Sequence, residues 1–265
     1  MTDVVQINWL FGNVCDKKCS YCPPLLRGGS LPFYSTEQIK EATDKLIDHY
    51  EQLGKTCHFT FTGGEPTLHE GFHSIVRSLH NRNCSTVIHT NGISRPIEWW
   101  RENRNYINNI NLSVHLQYVT DEVFDNQILP LIEMFEDSFV QVPYLPETAE
   151  KANNMVAKIQ ERAKKISTKS TLFVDSPTNT QLYPYTDIPP PTGEFVRPQF
   201  KGQTCYVGVE SLIINSFGQM HRSWCGIAKS LGHVLDKTLD LPVNPVICTK
   251  DYCKNAFDCT ITKIA

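Results

Sequence analysis

The chain has 265 residues, enough for one barrel-sized domain with a modest extension, and its 40% hydrophobic and 20% charged residues are ordinary for a globular fold. Lys and Arg total 25 against 28 Asp and Glu; the net charge of -3 argues against a long nucleic acid or an acidic membrane surface as partner. No apolar run approaches the ~20 residues of a spanning helix, and Met1-Thr2-Asp3 lacks the basic start and apolar core of a signal peptide, so the expected compartment is the cytoplasm. Thiols stay reduced there, and the ten cysteines read as metal ligands or small buried hydrophobes rather than a disulfide framework.

Taken in order, Val4 to Phe11 is rich in β-branched and aromatic residues and predicts a first strand. It runs into Cys15-Asp16-Lys17-Lys18-Cys19-Ser20-Tyr21-Cys22, a C-x3-C-x2-C run. Pro23-Pro24, Gly28-Gly29 and Pro32 are expected to keep Cys22 to Phe33 out of regular structure. Ser35 with Gln38 is a capping-box start, after which Ile39, Ala42, Leu46, Ile47, Tyr50 and Leu53 recur at helical spacing until Gly54. The next strand, Cys57 to Thr62, breaks at Gly63-Gly64-Glu65-Pro66. A helix from Glu70 to Arg82 leads to the strand Ser85 to Thr90 and a turn at Asn91-Gly92. The alternation continues with a helix from Pro96 to Arg104, a strand from Ile107 to His115, a helix from Thr120 to Phe135 and a strand from Phe139 to Tyr144. Ala149, Ala152, Val156, Ile159 and Ala163 mark another amphipathic helix, and Ser170 to Asp175 reads as a sixth strand. Six strand-helix steps of about 30 residues each argue for an α/β fold with a parallel sheet, open or curled into a partial barrel over residues 1–175.

From Ser176 the composition changes. Pro177, Pro184, Pro189-Pro190-Pro191 and Pro198 mark residues 176–204 as a connection across the mouth of the sheet. Within 205–265, Val209 to Asn215 and Gln219 to Trp224 flank Ser216-Phe217-Gly218, a hairpin signal, and an irregular piece carries Cys248, Cys253 and Cys259.

Three thiolates within eight residues can converge on a soft metal centre, and a four-iron, four-sulfur cluster wants four ligands. One iron would then be open to a small molecule. Structural zinc is the alternative, but zinc prefers four protein ligands and the loop offers no fourth Cys or His. In parallel α/β folds ligands gather at the C-terminal ends of strands, where the cysteine loop, Gly63-Gly64-Glu65-Pro66, Thr90-Asn91-Gly92 and Ser113 with His115 all fall. Plainer readings stand beside these: Glu65 as an exposed turn residue, Asn91-Gly92 as a tight turn, and His115 as a satisfied core histidine. His58 and His89 read as strand residues, and Cys57 and Cys84 as buried hydrophobes.

With Cys15, Cys19 and Cys22, the aromatic Tyr21 before the last cysteine, and Gly63-Gly64-Glu65-Pro66 one strand later, the chain resembles a radical S-adenosylmethionine (SAM) enzyme over residues 1 to about 175. The resemblance implies a partial (β/α)6 barrel in which Cys15, Cys19 and Cys22 hold a 4Fe-4S cluster whose open iron chelates SAM. It implies that Gly63, Gly64, Glu65 and Pro66 meet the methionine amine, with glycines permitting close backbone approach. It further implies that Asn91 and Ser113 meet the carboxylate or ribose, and that Tyr21 lies against the adenine. An electron donor such as flavodoxin or ferredoxin is the implied partner.

The last segment has a resemblance of its own. Cys205, the hairpin through Gly218, Cys225 after Trp224, Leu231-Gly232-His233-Val234 and Cys248-x4-Cys253 resemble the twitch form of the SPASM extension. That resemblance implies an auxiliary iron-sulfur cluster on Cys205, Cys225, Cys248 and Cys253, with Cys259 as alternate ligand; structural zinc remains the other reading. The expected activity is reductive SAM cleavage to a 5′-deoxyadenosyl radical that takes hydrogen from a small-molecule or peptide substrate, for oxidation or bond formation. Radical modification of a nucleotide or nucleic-acid base, and a metal-stapled binding module, are the competing readings. Asp175, Tyr183 and Asp187 are candidate bases that the sequence does not distinguish from loop surface residues.

Overall fold

The computed structural model describes residues 3–22, 24–31, 33–135, 138–143, 148–162, 199–253 and 256–265. The expected sixth strand at Ser170–Asp175, the proline-rich connection up to residue 198, and Asp175, Tyr183 and Asp187 lie outside them.

The first half alternates as its periodicity predicts. Strand β1 (Val4–Leu10) is followed by a short helix α1 (Pro24–Arg27) and by α2 (Thr36–Gln52). Then come β2 (Thr56–Thr62), α3 (Phe72–Asn81), β3 (Ser85–Thr90), α4 (Ile97–Asn103) and β4 (Asn109–Ser113). The stretch after β4 is one continuous winding: α5 (Asp121–Val123), a wider π turn over Phe124–Ile128, and α6 (Leu129–Met134). Strand β5 (Phe139–Gln141) and helix α7 (Ala149–Arg162) complete it. Helix α1 corrects the expectation of irregular chain from Cys22 to Phe33: a proline at the first helical position gives up only an N–H that has no intrahelical partner anyway.

Strands β1 to β5 are parallel and lie in sequence order, β5-β4-β3-β2-β1. Alternate residues divide their faces. Val5, Ile7, Trp9, Phe59, Phe61, Ile88, Ile110 and Leu112 are buried in one cluster with Ile39, Leu46, Ile47 and Tyr50 of α2 and Ile75, Val76 and Leu79 of α3. Each such large side chain contributes about 1.5–3 kcal/mol on leaving water. Helix α2 is fixed at its start by the predicted capping box, Ser35 receiving Gln38 N–H while the Gln38 side chain receives Ser35 N–H. Arg82, following α3, reaches back to Asp44, Asp48 and Glu51 on α2 at 2.7–3.2 Å. The opposite, concave face is polar: Asn8, Thr60, His89, Asn111, Ser113 and Gln141 share it by register.

The hairpin forms about Ser216-Phe217-Gly218 as expected, but its strands are shorter and it joins the main sheet. After β6 (Thr204–Cys205), strand β7 (Ser211–Ile214) turns into β8 (Met220–His221), and β7 also pairs in parallel with β1 through Gln6↔Ser211 to Trp9↔Ile214. All four β7 residues are buried, as a strand covered on both faces requires, so the main sheet extends into the 205–265 segment. A second, three-stranded antiparallel sheet joins β6 to β9 (Val246–Ile247) and β10 (Lys263–Ile264), with helix α8 (Ala256–Thr260) just before β10. No helix among the described residues is long and apolar enough to cross a membrane.

Candidate active site

Past β1 the chain enters a closed loop. Asn13, fully buried, zips its two ends: the backbone N–H reaches Leu31 O at 3.2 Å, the carbonyl receives Gly29 N–H at 3.1 Å, and Oδ1 receives Leu31 N–H at 2.8 Å. Cys15, Cys19 and Cys22 lie within this loop at the C-terminal end of the sheet.

The Gly63-Gly64 turn after β2 packs directly on the loop. Gly64 N–H donates to Gly12 O at 3.1 Å and Glu65 N–H to Val14 O at 2.8 Å. A Cβ on Gly64 would fall 2.1 Å from Val14 O; one on Gly63, whose φ is +121°, would fall 2.6 Å from Gly12 O. The sequence reading linked these glycines to ligand approach. In the structure the close approach that excludes a side chain is to the polypeptide preceding Cys15.

Glu65 is also placed differently from an exposed turn residue. Its carboxylate is 1% exposed and accepts from four donors: Thr67 Oγ1 (2.6 Å), Thr67 N–H (3.3 Å) and Thr90 Oγ1 (2.9 Å) at Oε1, and Asn91 N–H (2.8 Å) at Oε2. Burial raises its pKa above the usual carboxylate range, opposed by those four donors. Asn91 makes its own turn, Oδ1 accepting from Ile93 N–H and Nδ2 donating to Ser94 Oγ. Ser94 Oγ in turn donates to Asp16 Oδ1 at 2.5 Å. A continuous chain of hydrogen bonds thus links β2, β3 and the cysteine loop.

The third anchor is the segment after β4. Lys18 N–H donates to Tyr118 Oη at 2.9 Å, Ser20 N–H to Gln117 Oε1 at 3.0 Å, and the Tyr21 hydroxyl pairs with His115 Nδ1. Burial pushes the Tyr21 phenol up and holds His115 down to about 4, so both partners of the pair are uncharged near neutral pH. Ser113 accepts from Gln141 Nε2 across β4 and β5 at 2.5 Å. Pro66 begins the buried turn that leads away from Glu65. Asp16, Ser94, Gln117 and Tyr118 were missed as contributors, and His115, singled out at its strand end, had been assigned no role; their signal was position, each lying in the cysteine loop or just past a strand end.

Burial pushes the Cys15 thiol up to about 11, with the Glu65 carboxylate adding and the Lys17 N–H on Sγ opposing. Cys19 and Cys22 are raised for the same primary reason. Such thiols lose their protons to a metal centre rather than to water. Among the described residues no three His, Cys, Asp or Glu side chains converge closely enough for one metal ion. A cluster places each thiolate on a different iron, so three soft sulfur donors on one preordered loop fit it by chemistry.

In the C-terminal segment, Cys205, Cys225 and Cys248 pack together around Val207, Ile227 and Ile261. Cys253 pairs with Cys259, and burial with that neighbour pushes Cys253 up to about 12. Asp258, which sequence reasoning also missed, is buried and receives the N–H groups of Trp224 (3.2 Å) and Cys225 (2.7 Å).

Comparison with known proteins agrees with this architecture. The model of the radical SAM superfamily matches residues 9–168, and the chain belongs to that superfamily, whose members are enzymes. Membership implies a 4Fe-4S cluster and SAM. No curated relative matches the sequence. Among solved structures, anSMEcpe with bound AdoMet is similar at 14% identity and a TM-score of 0.57, over 89% of this chain and 79% of that one. Native anSMEcpe with bound AdoMet and Cp18Cys peptide gives 15% and 0.56, over 89% and 78%. Streptococcus suis SuiB gives 14% and 0.56, over 88% and 64%. At these identities the likeness is one of fold.

Proposed function

We propose that the chain reductively cleaves SAM and uses the resulting radical to take hydrogen from a small-molecule or peptide substrate, for oxidation or bond formation. The observation that carries this is the cysteine loop, bonded through Gly12 and Val14 to the Gly-Gly-Glu turn and through Asp16 to Ser94. Cys15, Cys19 and Cys22 would hold a 4Fe-4S cluster, which would supply the electron for reductive cleavage of SAM to methionine and a 5′-deoxyadenosyl radical. The chain's own part is positional. Glu65 fixes the turn after β2 to that after β3, His115 fixes Tyr21 beside the adenine site, and Asn91 and Ser113 lie at the strand ends that meet the polar groups of SAM. The backbone of Gly63 to Pro66 faces the methionine amine. A peptide bound to anSMEcpe alongside AdoMet supports keeping peptides among the substrates.

Residues 1–175 form the catalytic barrel in this reading, 176–204 connect, and 205–265 hold an auxiliary iron-sulfur cluster on Cys205, Cys225, Cys248 and either Cys253 or Cys259. A flavodoxin or ferredoxin in the cytoplasm supplies electrons. Anaerobic reconstitution tests the core claim: brown protein that forms 5′-deoxyadenosine after dithionite reduction is expected, and Cys15→Ala, Cys19→Ala or Cys22→Ala should each abolish it. A colourless, zinc-loaded protein inert toward SAM would refute it. Replacing the C-terminal cysteines while the first cluster is retained tests the second site; undiminished product formation would remove any redox role for it.

A further inference from the structure

The five parallel strands β1 to β5 contain no Asp, Glu, Lys or Arg. Their concave face is nonetheless polar. In a filled α/β barrel that face is packed with Val, Ile and Leu; here its apolar members are Val4, Leu10, Val87 and Phe139. The polar members are tied sideways from strand to strand: His58 Nδ1 with Ser85 Oγ at 2.7 Å, Asn111 Nδ2 donating to His89 Nε2 at 2.7 Å, and Gln141 Nε2 donating to Ser113 Oγ at 2.5 Å. These bonds fix side-chain directions before any ligand arrives. Asn8 Nδ2 is different, being buried with no hydrogen-bond partner among the described residues. A buried amide donor left unpaired costs about 1–3 kcal/mol, which a ligand acceptor would recover.

An isolated ionic group brought against such a face would lose its water without meeting a counter-charge, a penalty of several kcal/mol. Hydroxyls and amides meet no such penalty, because each Asn or Gln offers both a donor and an acceptor. Burial keeps His89 neutral, so it adds no cation. Asn8 and Asn111 each lie two residues before the end of their strand, about 7 Å below the level of the cysteine loop. That depth suits a group reached from the SAM site.

We infer that the reacting part of the substrate is electrically neutral and rich in hydroxyl or amide groups, held by the concave face of β1 to β5 with Asn8, His89 and Asn111 as principal contacts. The inference rests on the reading of the chain as a SAM-cleaving enzyme, and the two are tested separately. Formation of 5′-deoxyadenosine by reduced, reconstituted full-length protein without added substrate addresses only that reading. Equilibrium dialysis of the same protein with SAM then addresses the substrate class. The probes are glucose, glucose 6-phosphate and glucosamine, and terminally blocked tripeptides centred on Ser, Asp or Lys. Neutral probes should bind at least about tenfold (~1.4 kcal/mol) more tightly than their charged counterparts. Stronger retention of glucose than of the Ser tripeptide identifies a free polyol as the source of these groups, and the reverse identifies a peptide side chain. Asn8→Ser should weaken the neutral probe without altering thermal stability by more than a few degrees. Asn111→Asp should shift preference toward glucosamine or the Lys tripeptide. Equal or tighter binding of a charged probe to the unmodified protein, or no binding by either neutral probe at millimolar concentration, overturns the inference.

Discussion

Removing the Glu65 side chain separates a scaffold role from a ligand role at the turn after β2. Two of its donors, Thr67 N–H and Asn91 N–H, are backbone groups that cannot turn toward another acceptor, while the two threonine hydroxyls can rotate. An unsatisfied buried N–H costs about 1–3 kcal/mol, and the lost carboxyl leaves a void beside them. Glu65→Ala should therefore destabilise the protein by about 3–5 kcal/mol, in the range found when a buried charged network loses one member and a large part of the ~5–15 kcal/mol that holds a domain together. Glu65→Gln keeps an acceptor at one oxygen but turns an amide N–H2 toward a backbone N–H, and should lose about 1–3 kcal/mol. Urea unfolding, followed by tryptophan fluorescence on metal-free protein under chelator, measures both without interference from cluster or SAM. A loss below about 1 kcal/mol for Glu65→Ala, with SAM binding nonetheless abolished, would refute the scaffold assignment and return Glu65 to the ligand.

Gly64→Ala should be far more damaging than Gly29→Ala, because the new Cβ would meet Val14 O at 2.1 Å whereas Gly29 has nothing within 4 Å. Gly29, at φ +68°, carries only the left-handed backbone cost of about 1–2 kcal/mol, and similar melting temperatures for the two variants would contradict the packing account. His89 supplies a pH signature. Burial lowers its folded pKa to about 4, so folding favours the neutral ring. Its contribution is complete above the unfolded value of about 6.5 and is lost as pH falls from there toward about 4, on the order of 2–3 kcal/mol. Stability measured across that window should fall less steeply in His89→Gln, and an unchanged slope would count against a neutral, enclosed ring.

Much of the parallel sheet was legible in the chain because β1 to β4 bury one face under amphipathic helices and repeat the strand-helix step at regular intervals. The capping box at Ser35 and Gln38 was legible for a local reason, since both partners lie within four residues. The edge that this hairpin joins was not: β7 bonds to β1 some two hundred residues earlier, and nothing local records which edge a short apolar strand will find. The helix from Thr120 to Phe135 was expected, but not the π turn over Phe124–Ile128 that lies within it.

For the site, the sequence determined the chemistry on offer: three soft sulfur donors at C-x3-C-x2-C spacing and a Gly-Gly-Glu-Pro turn one strand later. Both are carried by residue type and short-range order, which survive without a fold. Only the tertiary structure decided what each residue does. It turned Glu65 inward to hold two strand ends together, gave the paired glycines to contact with Gly12 and Val14, and brought Asp16 to Ser94 and Tyr21 to His115. These depend on the direction of side chains far apart in sequence, and direction is fixed only when the strands have taken their register.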